Sequence, residues 1–243
     1  MIRLPLLDPA QPDCFPDPNH ALREPNGLLA FGGDLSPARL LAAYGQGIFP
    51  WYGDNEPILW WSPDPRCVLH TETLHINRSL RRQLRGKAWR VSVDGAFEEV
   101  IHACAAPRDG RDSTWIVPEM IDGYIALHRL GHAHSVEVWD GERLIGGLYG
   151  VAVGQLFCGE SMFSAESGGS KLALMSLAML LRQWGWPLID TQVANAHTLG
   201  LGAKEIPRER YLHEVARLVA LPGRMGSWAP FATRIQLDQC DGS

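Results

Sequence analysis

The 243-residue sequence predicts an α/β protein of the α+β kind, with a mixed, largely antiparallel sheet flanked by helices. Three features of the chain lead there. Residues 89–104 pass from two-residue to helical apolar spacing. Residues 135–160 then carry three apolar strand segments, punctuated by Asp140-Gly141 and by Gly154. Finally, Ser170–Trp184 is apolar nearly all round and is followed by a short apolar strand, Leu188–Gln192. Residues 1–66 are instead crowded with Pro, Gly and Trp and show little periodicity. A small N-terminal domain over 1–66 and a main domain over 67–243 are therefore expected.

Residues 1–66 hold two turn signals, Pro25-Asn26-Gly27 and Gly32-Gly33-Asp34. Ser36-Pro37 reads as a helix N-cap with proline at the first helical position, opening a helix over Pro37–Gln46 that Gly47 ends. Leu40, Leu41 and Tyr44 are expected to face inward. Phe49, Trp51, Trp60 and Trp61 follow within thirteen residues, beside prolines that stiffen the backbone. Such a cluster serves either as an aromatic mini-core or as a flat surface for stacking a base, and both can hold at once.

Asn77–Arg90 contains no acid and six of the chain's 22 Lys and Arg residues. Asn77 and Gly86 read as the start and stop of a helix. Arg78, Arg81, Arg82 and Arg85 fall on one face of it, Leu80 and Leu84 on another, and Lys87 and Arg90 extend the charge. A charge run is usually a solvated face. This one is concentrated within a chain of net charge −5, which favours contact with a phosphate backbone.

Trp89–Asp94 alternates as a strand, and Asp94 reads as the cap of a helix burying Phe97, Val100, Ile101 and Cys104. Pro107–Ser113 is a polar loop leading to Trp115. Pro118 starts a helix with Ile121, Tyr124, Ile125 and His128 inward, closed by Gly131. Ser135–Trp139, Arg143–Val153 and Gln155–Glu160 form an antiparallel meander, with Asp140-Gly141 at its first corner. Glu160 ends an otherwise apolar strand, so it is either a functional group in a cleft or an acid that bonds nearby amides. The last helix, Arg208–Ala220, buries Tyr211, Leu212, Val215, Leu218 and Val219.

Composition excludes several classes. With 46% apolar and 20% charged residues the chain is globular, and no apolar run approaches the ~20 residues of a membrane span. The start is too short and too proline-broken for a secretory signal. Five scattered cysteines without CxxC spacing point to a reducing, cytoplasmic setting without structural disulfides. His128, His132 and His134 lie close together, but Gly131 interrupts them and no other ligand stands at metal spacing, so no metal and no cofactor are expected. Nucleophile-elbow, Walker A and dinucleotide motifs are missing. Gly168-Gly169-Ser170 opens a helix and suits either a phosphate or an ordinary helix start. Asp190 and Gln192, two apart on a strand, share a face by alternation. They read either as a positioning pair or as a polar strand edge.

Read together, several strings resemble the leucyl/phenylalanyl-tRNA–protein transferase family. They are Glu24-Pro-Asn-Gly-Leu-Leu-Ala with Gly32-Gly-Asp-Leu-Ser-Pro, Gly47-Ile-Phe-Pro-Trp, Trp60-Trp-Ser-Pro-Asp-Pro-Arg, Gly131-His-Ala-His-Ser, Phe157-Cys-Gly-Glu-Ser-Met-Phe-Ser and Leu188-Ile-Asp-Thr-Gln. They run in the family's order from about Ala21 to Ala229.

The resemblance implies a main domain like the GNAT acyl-CoA N-acyltransferases. It implies a monomeric bacterial cytoplasmic enzyme that moves Leu or Phe from aminoacylated tRNA to the N-terminal amine of proteins beginning with Arg or Lys, marking them for N-degron degradation. It implies Asp190 and Gln192 as the catalytic pair, Asp190 orienting Gln192 toward the attacking amine. Trp51 and Trp115 would hold the terminal adenosine, and Phe157, Glu160, Ser161, Leu148 and Leu177 the aminoacyl group. Arg78, Arg81, Arg82, Arg85 and Lys87 would meet the tRNA. Two other readings compete. An acyl-CoA-dependent acetyltransferase would need a pyrophosphate loop that Ala165–Ser170 departs from, and a non-catalytic tRNA-binding module would not need Asp190 and Gln192.

Overall fold

The computed structural model describes residues 4–74, 82, 84–107 and 115–234. The first part of the chain forms a four-stranded sheet in the order β1-β2-β4-β3. Its strands are β1 (Leu6–Leu7), β2 (Leu28–Gly32), β3 (Phe49–Pro50) and β4 (Leu59–Trp61), with helix α1 (Pro37–Tyr44) between β2 and β3. Ser36 caps α1 by accepting from the Arg39 amide, and Pro37 takes the first helical position, where a missing N–H costs nothing.

The rest builds a seven-stranded sheet ordered β11-β5-β10-β9-β8-β7-β6. Its strands are β5 (Arg66–His70), β6 (Arg90–Val93), β7 (Ala133–Asp140), β8 (Arg143–Val153), β9 (Leu156–Ser164), β10 (Leu188–Gln192) and β11 (Lys204–Ile206). The helices are α2 (Phe97–Ala105), α3 (Pro118–Arg129), α4 (Gly169–Gln183), the single turn α5 (Ala196–Leu199) and α6 (Arg208–Val219). β6–β9 pair antiparallel in chain order, as the meander predicts. β10 then pairs parallel to β9 after the α4 crossover. Both sheets are mixed, and the order of meander, buried helix and strand is the one the resemblance implies.

Strand alternation divides the core into two layers. Val68, Tyr149, Cys158 and Leu188 pack with α1, α2, α3 and α6 on one face of the large sheet. Their neighbours Leu69, Leu148, Phe157 and Ile189 pack with α4 on the other. The first layer continues into the four-stranded sheet through Leu29, Phe49 and Trp60. Two close backbone approaches explain glycines in β8. A Cβ on Gly146 would lie 2.6 Å from the Gly169 backbone at the start of α4, and one on Gly150 would lie 2.2 Å from the Cys158 carbonyl oxygen.

Some expectations need correction. Asp94 does not cap α2, whose N-cap is Ala96 without a side-chain bond. Its carboxylate instead accepts from His134 Nδ1 at 2.9 Å and from the backbone amides of Ser135 and Trp228 at 3.0 and 2.6 Å. His128 meanwhile bonds the Ala133 carbonyl and stacks on Phe97, so these two histidines go to separate partners. α3 buries Met120, Gly123, Tyr124 and Leu127, with Ile121, Ile125 and His128 only half-buried, because α1 packs on the Gly123 side. β5 and β11 were not expected. Most of the arginine helix over residues 77–86, with Arg78 and Arg81, lies outside the described residues, as does the loop 108–113.

Trp228 locks the end of the described chain to the sheet. It stacks on His134 with ring centroids 3.6 Å apart and meets Trp184 and Trp186 edge-on. Trp228→Ala is expected to lower stability by about 3–5 kcal/mol, measured by urea unfolding.

Candidate active site

The site lies where the two parallel strands of the large sheet part. β9 and β10 pair from Leu156–Leu188 to Cys158–Asp190 and no further. Each strand is irregular immediately beyond. In β9 the register against β8 shifts between Gly150–Gly159 and Tyr149–Ser161, which leaves Glu160 as the extra residue. In β10 the register against β5 shifts between Asp190 and Gln192, with Thr191 extra. Bulges of this kind re-aim side chains. Here Gln192 adopts a left-handed backbone, φ 60°.

A cavity of about 500 Å³ opens at this divergence. Trp51, Trp115, Leu148, Phe157, Glu160, Ser161 and Leu177 all line it, together with Gln192. The aromatic cluster of the N-terminal sheet divides its duties. Trp60 is fully buried and donates to the Gly32 carbonyl, whereas Trp51 is 44% exposed at the cavity wall. Trp61 Nε1 donates to the Trp51 carbonyl at 2.6 Å and steadies that backbone.

Asp190 is not at the cavity surface. The face it was expected to share with Gln192 is interrupted by the bulge, and its carboxylate is fully buried under four donors. Arg66 Nε and Nη2 reach it at 2.9 and 2.7 Å, the Tyr211 hydroxyl at 2.7 Å and the Gln192 backbone amide at 2.9 Å. Asp190 thus holds Gln192 through the main chain. The Gln192 side-chain amide is held by Glu160, Nε2 donating to Oε1 at 2.7 Å. The other Glu160 oxygen accepts from the Tyr124 hydroxyl at 2.7 Å, and Tyr124 lies 2.6 Å from the Tyr44 hydroxyl.

The family model for leucyl/phenylalanyl-tRNA protein transferase matches residues 68–216, and the model of that family's N-terminal domain matches 33–64. The chain belongs to this family. It is 62% identical to the leucyl/phenylalanyl-tRNA–protein transferase of Xanthomonas oryzae pv. oryzae over 216 residues, 88% of this chain and 86% of that protein. The protein of the same name from Xanthomonas axonopodis pv. citri is 58% identical over 93% of this chain and 92% of its own length. That of Xylella fastidiosa is 54% identical over 92% and 93%. Among solved structures, L-PGS from Bacillus licheniformis superposes with a TM-score of 0.39 at 11% identity over 68% of this chain and 58% of that chain, too slight a likeness to carry weight. Membership makes the chain an aminoacyl-tRNA-dependent aminoacyltransferase by family.

The residue that sequence reading missed in this transferase is Arg66. Its guanidinium lies 4.7 Å from the Phe49 ring centre and 4.6 Å from that of Tyr211. Burial works against its charge, but the Asp190 carboxylate outweighs that and raises its pKa. The available signal was an arginine opening the apolar run Cys67-Val-Leu. Tyr44, Tyr124 and Tyr149 were also missed as site residues, and burial, with Glu160 nearby, pushes all three well above the usual phenol range.

Burial likewise pushes the Glu160 carboxyl up to about 7, against the downward pull of the tyrosine and Gln192 hydrogen bonds and with the upward push of Asp190. Among the described residues no group of His, Cys, Asp and Glu is placed to hold a metal ion. Arg82 and Arg85 are exposed, and Lys87 sits 3.9 Å from Glu166. The start of α4 does not offer the phosphate cradle of an acyl-CoA enzyme. Its Ser170 amide is taken by Ser164 Oγ at 2.8 Å, and the Gly146 backbone packs against Gly169.

Two outcomes follow from this geometry. Arg66→Met leaves Asp190 buried without a cation and is expected to cost about 3–5 kcal/mol of stability in urea unfolding. Glu160 keeps a proton in the folded state that the unfolded chain loses above about pH 4.3. Its stabilising contribution is therefore complete below that pH and is lost as pH rises to about 7. Urea midpoints at pH 5 and 7.5 should fall further in the unsubstituted protein than in Glu160→Gln.

Proposed function

We propose that this chain transfers Leu or Phe from aminoacylated tRNA to the N-terminal α-amine of proteins that begin with Arg or Lys, as a cytoplasmic monomer acting in N-degron marking. The observation that carries this reading is the convergence of the seven expected aminoacyl-adenosine residues and Gln192 on one cavity. Trp51 and Trp115 offer rings to the terminal adenosine, with Trp51 supplied by residues 1–66 and Trp115 by residues 67–243. Leu148, Phe157 and Leu177 form an apolar pocket that suits Leu and Phe, while β-branched side chains place bulk too close to their own backbone. Glu160 and Ser161 stand at its polar edge.

The reaction joins an amine to an ester that is already activated, so orientation supplies much of the acceleration. The amide nitrogen of Gln192 is engaged by Glu160, which leaves the amide oxygen to accept from the incoming amine. Asp190 fixes this arrangement from behind. Arg82 and Arg85, with Arg78, Arg81 and Lys87, supply cations for the acceptor arm of the tRNA.

The experiment is transfer of labelled Leu and Phe from charged tRNA to peptides beginning with Arg, Lys or Ala. Label is expected on the Arg and Lys peptides and not on the Ala peptide, with transfer falling at high salt. Gln192→Ala should lower the rate by roughly 10–100-fold with little change in tRNA binding. Tight tRNA binding without transfer from the unsubstituted protein overturns the enzyme reading in favour of an RNA-binding module.

A further inference from the structure

We propose that Glu160 is the proton acceptor for the attacking amine and returns that proton to the ribose oxygen that leaves. This rests on the transferase reading above and assigns a role within the same site.

The argument starts from the two buried carboxyls of the site, which stand in opposite environments. Asp190 faces Arg66 from β5 and Tyr211 from α6, and both its oxygens are occupied by four donors. It is off the cavity and engaged by the buried Arg66 guanidinium. Glu160 is on the cavity wall, and among the described residues no Arg, Lys or His forms an ion pair with it. It is faced by Tyr124 from α3, Tyr44 from α1, Tyr149 from β8, Asp190 and Gln192 from β10, and Cys158 on its own strand. None of these carries positive charge, so burial sets a carboxyl that exchanges its proton near neutrality, where a general base is most effective.

The surrounding hydrogen bonds suit either protonation state. When Glu160 is ionised, the Tyr124 hydroxyl donates to it and Tyr44 donates to Tyr124. When Glu160 is protonated, the pair of hydroxyls reverses direction and Glu160 donates to Tyr124. Gln192 stays bonded to the other oxygen in both states. This division of labour also relieves Gln192 of proton abstraction, since an amide oxygen is a weak base. Gln192 aligns the amine, and Glu160 takes its proton.

The step balances without a co-reactant. The amine nitrogen forms a bond to the carbonyl carbon and gives up one proton to the Glu160 carboxylate. The carbon–oxygen bond of the ester breaks, and the departing ribose oxygen takes the proton from Glu160, restoring the carboxylate. The products are an amide and a free ribose hydroxyl. Tyr124 is a positioning residue in this scheme. Removing its hydroxyl takes a donor from the charged form of Glu160 and should raise the pH at which the base becomes competent.

The test is single-turnover transfer of Phe from charged tRNA to an Arg-initiated peptide between pH 5.5 and 9. The unsubstituted protein, Glu160→Gln and Tyr124→Phe are compared, with binding of the charged tRNA measured in parallel. Glu160→Gln is expected to lose about 100-fold or more in rate while binding changes less than threefold. Tyr124→Phe should move the acid limb of the profile upward by about one pH unit, and the peptide amine, being common to all three, cannot produce that difference. If Glu160→Gln does not fold, the Tyr124→Phe shift decides. A Glu160→Gln rate within threefold, or an unmoved limb in Tyr124→Phe, overturns this inference alone. Absence of transfer from the unsubstituted protein overturns the transferase reading and this inference with it.

Discussion

The bidentate pair between Arg66 and Asp190 is the contact on which the rest of the site depends. Two opposite charges buried this deeply are tolerated only when their geometry is good and further hydrogen bonds support the carboxylate. Asp190 meets that condition through Arg66, Tyr211 and the Gln192 amide at once. The pair therefore ties β5 to β10 and brings in α6. Arg66 also lies against Phe49, so the N-terminal sheet is drawn to the same point. One electrostatic requirement thereby sets the relative placement of four separate stretches of chain.

The second constraint is geometric. Parallel strands β9 and β10 pair over three residues and then separate, so the backbone beyond them is free to turn side chains into the gap. Bulges at Glu160 and Thr191 do this on the two sides. The apolar layer around α4 supplies the pocket floor through Leu148, Phe157 and Leu177, while the other layer supplies the tyrosines behind Glu160. An apolar pocket with a polar edge thus follows from a sheet whose two faces have different partners.

The two carboxyls show how such a frame assigns chemistry. Glu160 and Asp190 both stand close to the Gln192 residue, one at its side chain and one at its main chain. Asp190 is matched by the Arg66 guanidinium and fixed in place. Glu160 is matched only by a hydroxyl and an amide, and burial raises its pKa.

Much of this protein was determined by sequence that acts locally. The Ser36-Pro37 cap, the corner near Asp140-Gly141, the β6–β9 meander and the buried α4 all arise from neighbouring residues and stand close to where spacing placed them. β9 nevertheless runs on to Ser164, past the end expected at Glu160, and the corner itself is Gly141-Glu142. The family was legible too, because long ordered strings such as Phe157–Ser164 leave little room for coincidence. What only the tertiary structure decided is contact across distance. Arg66 and Asp190 are 124 residues apart, and nothing in either neighbourhood names the other. The bulge that parts Asp190 from Gln192 depends on pairing with β5, a strand the sequence did not announce. Asp94 was read as a helix cap because capping is local, yet it serves His134 and Trp228. Local rules fix elements, and burial then chooses which polar groups must find each other.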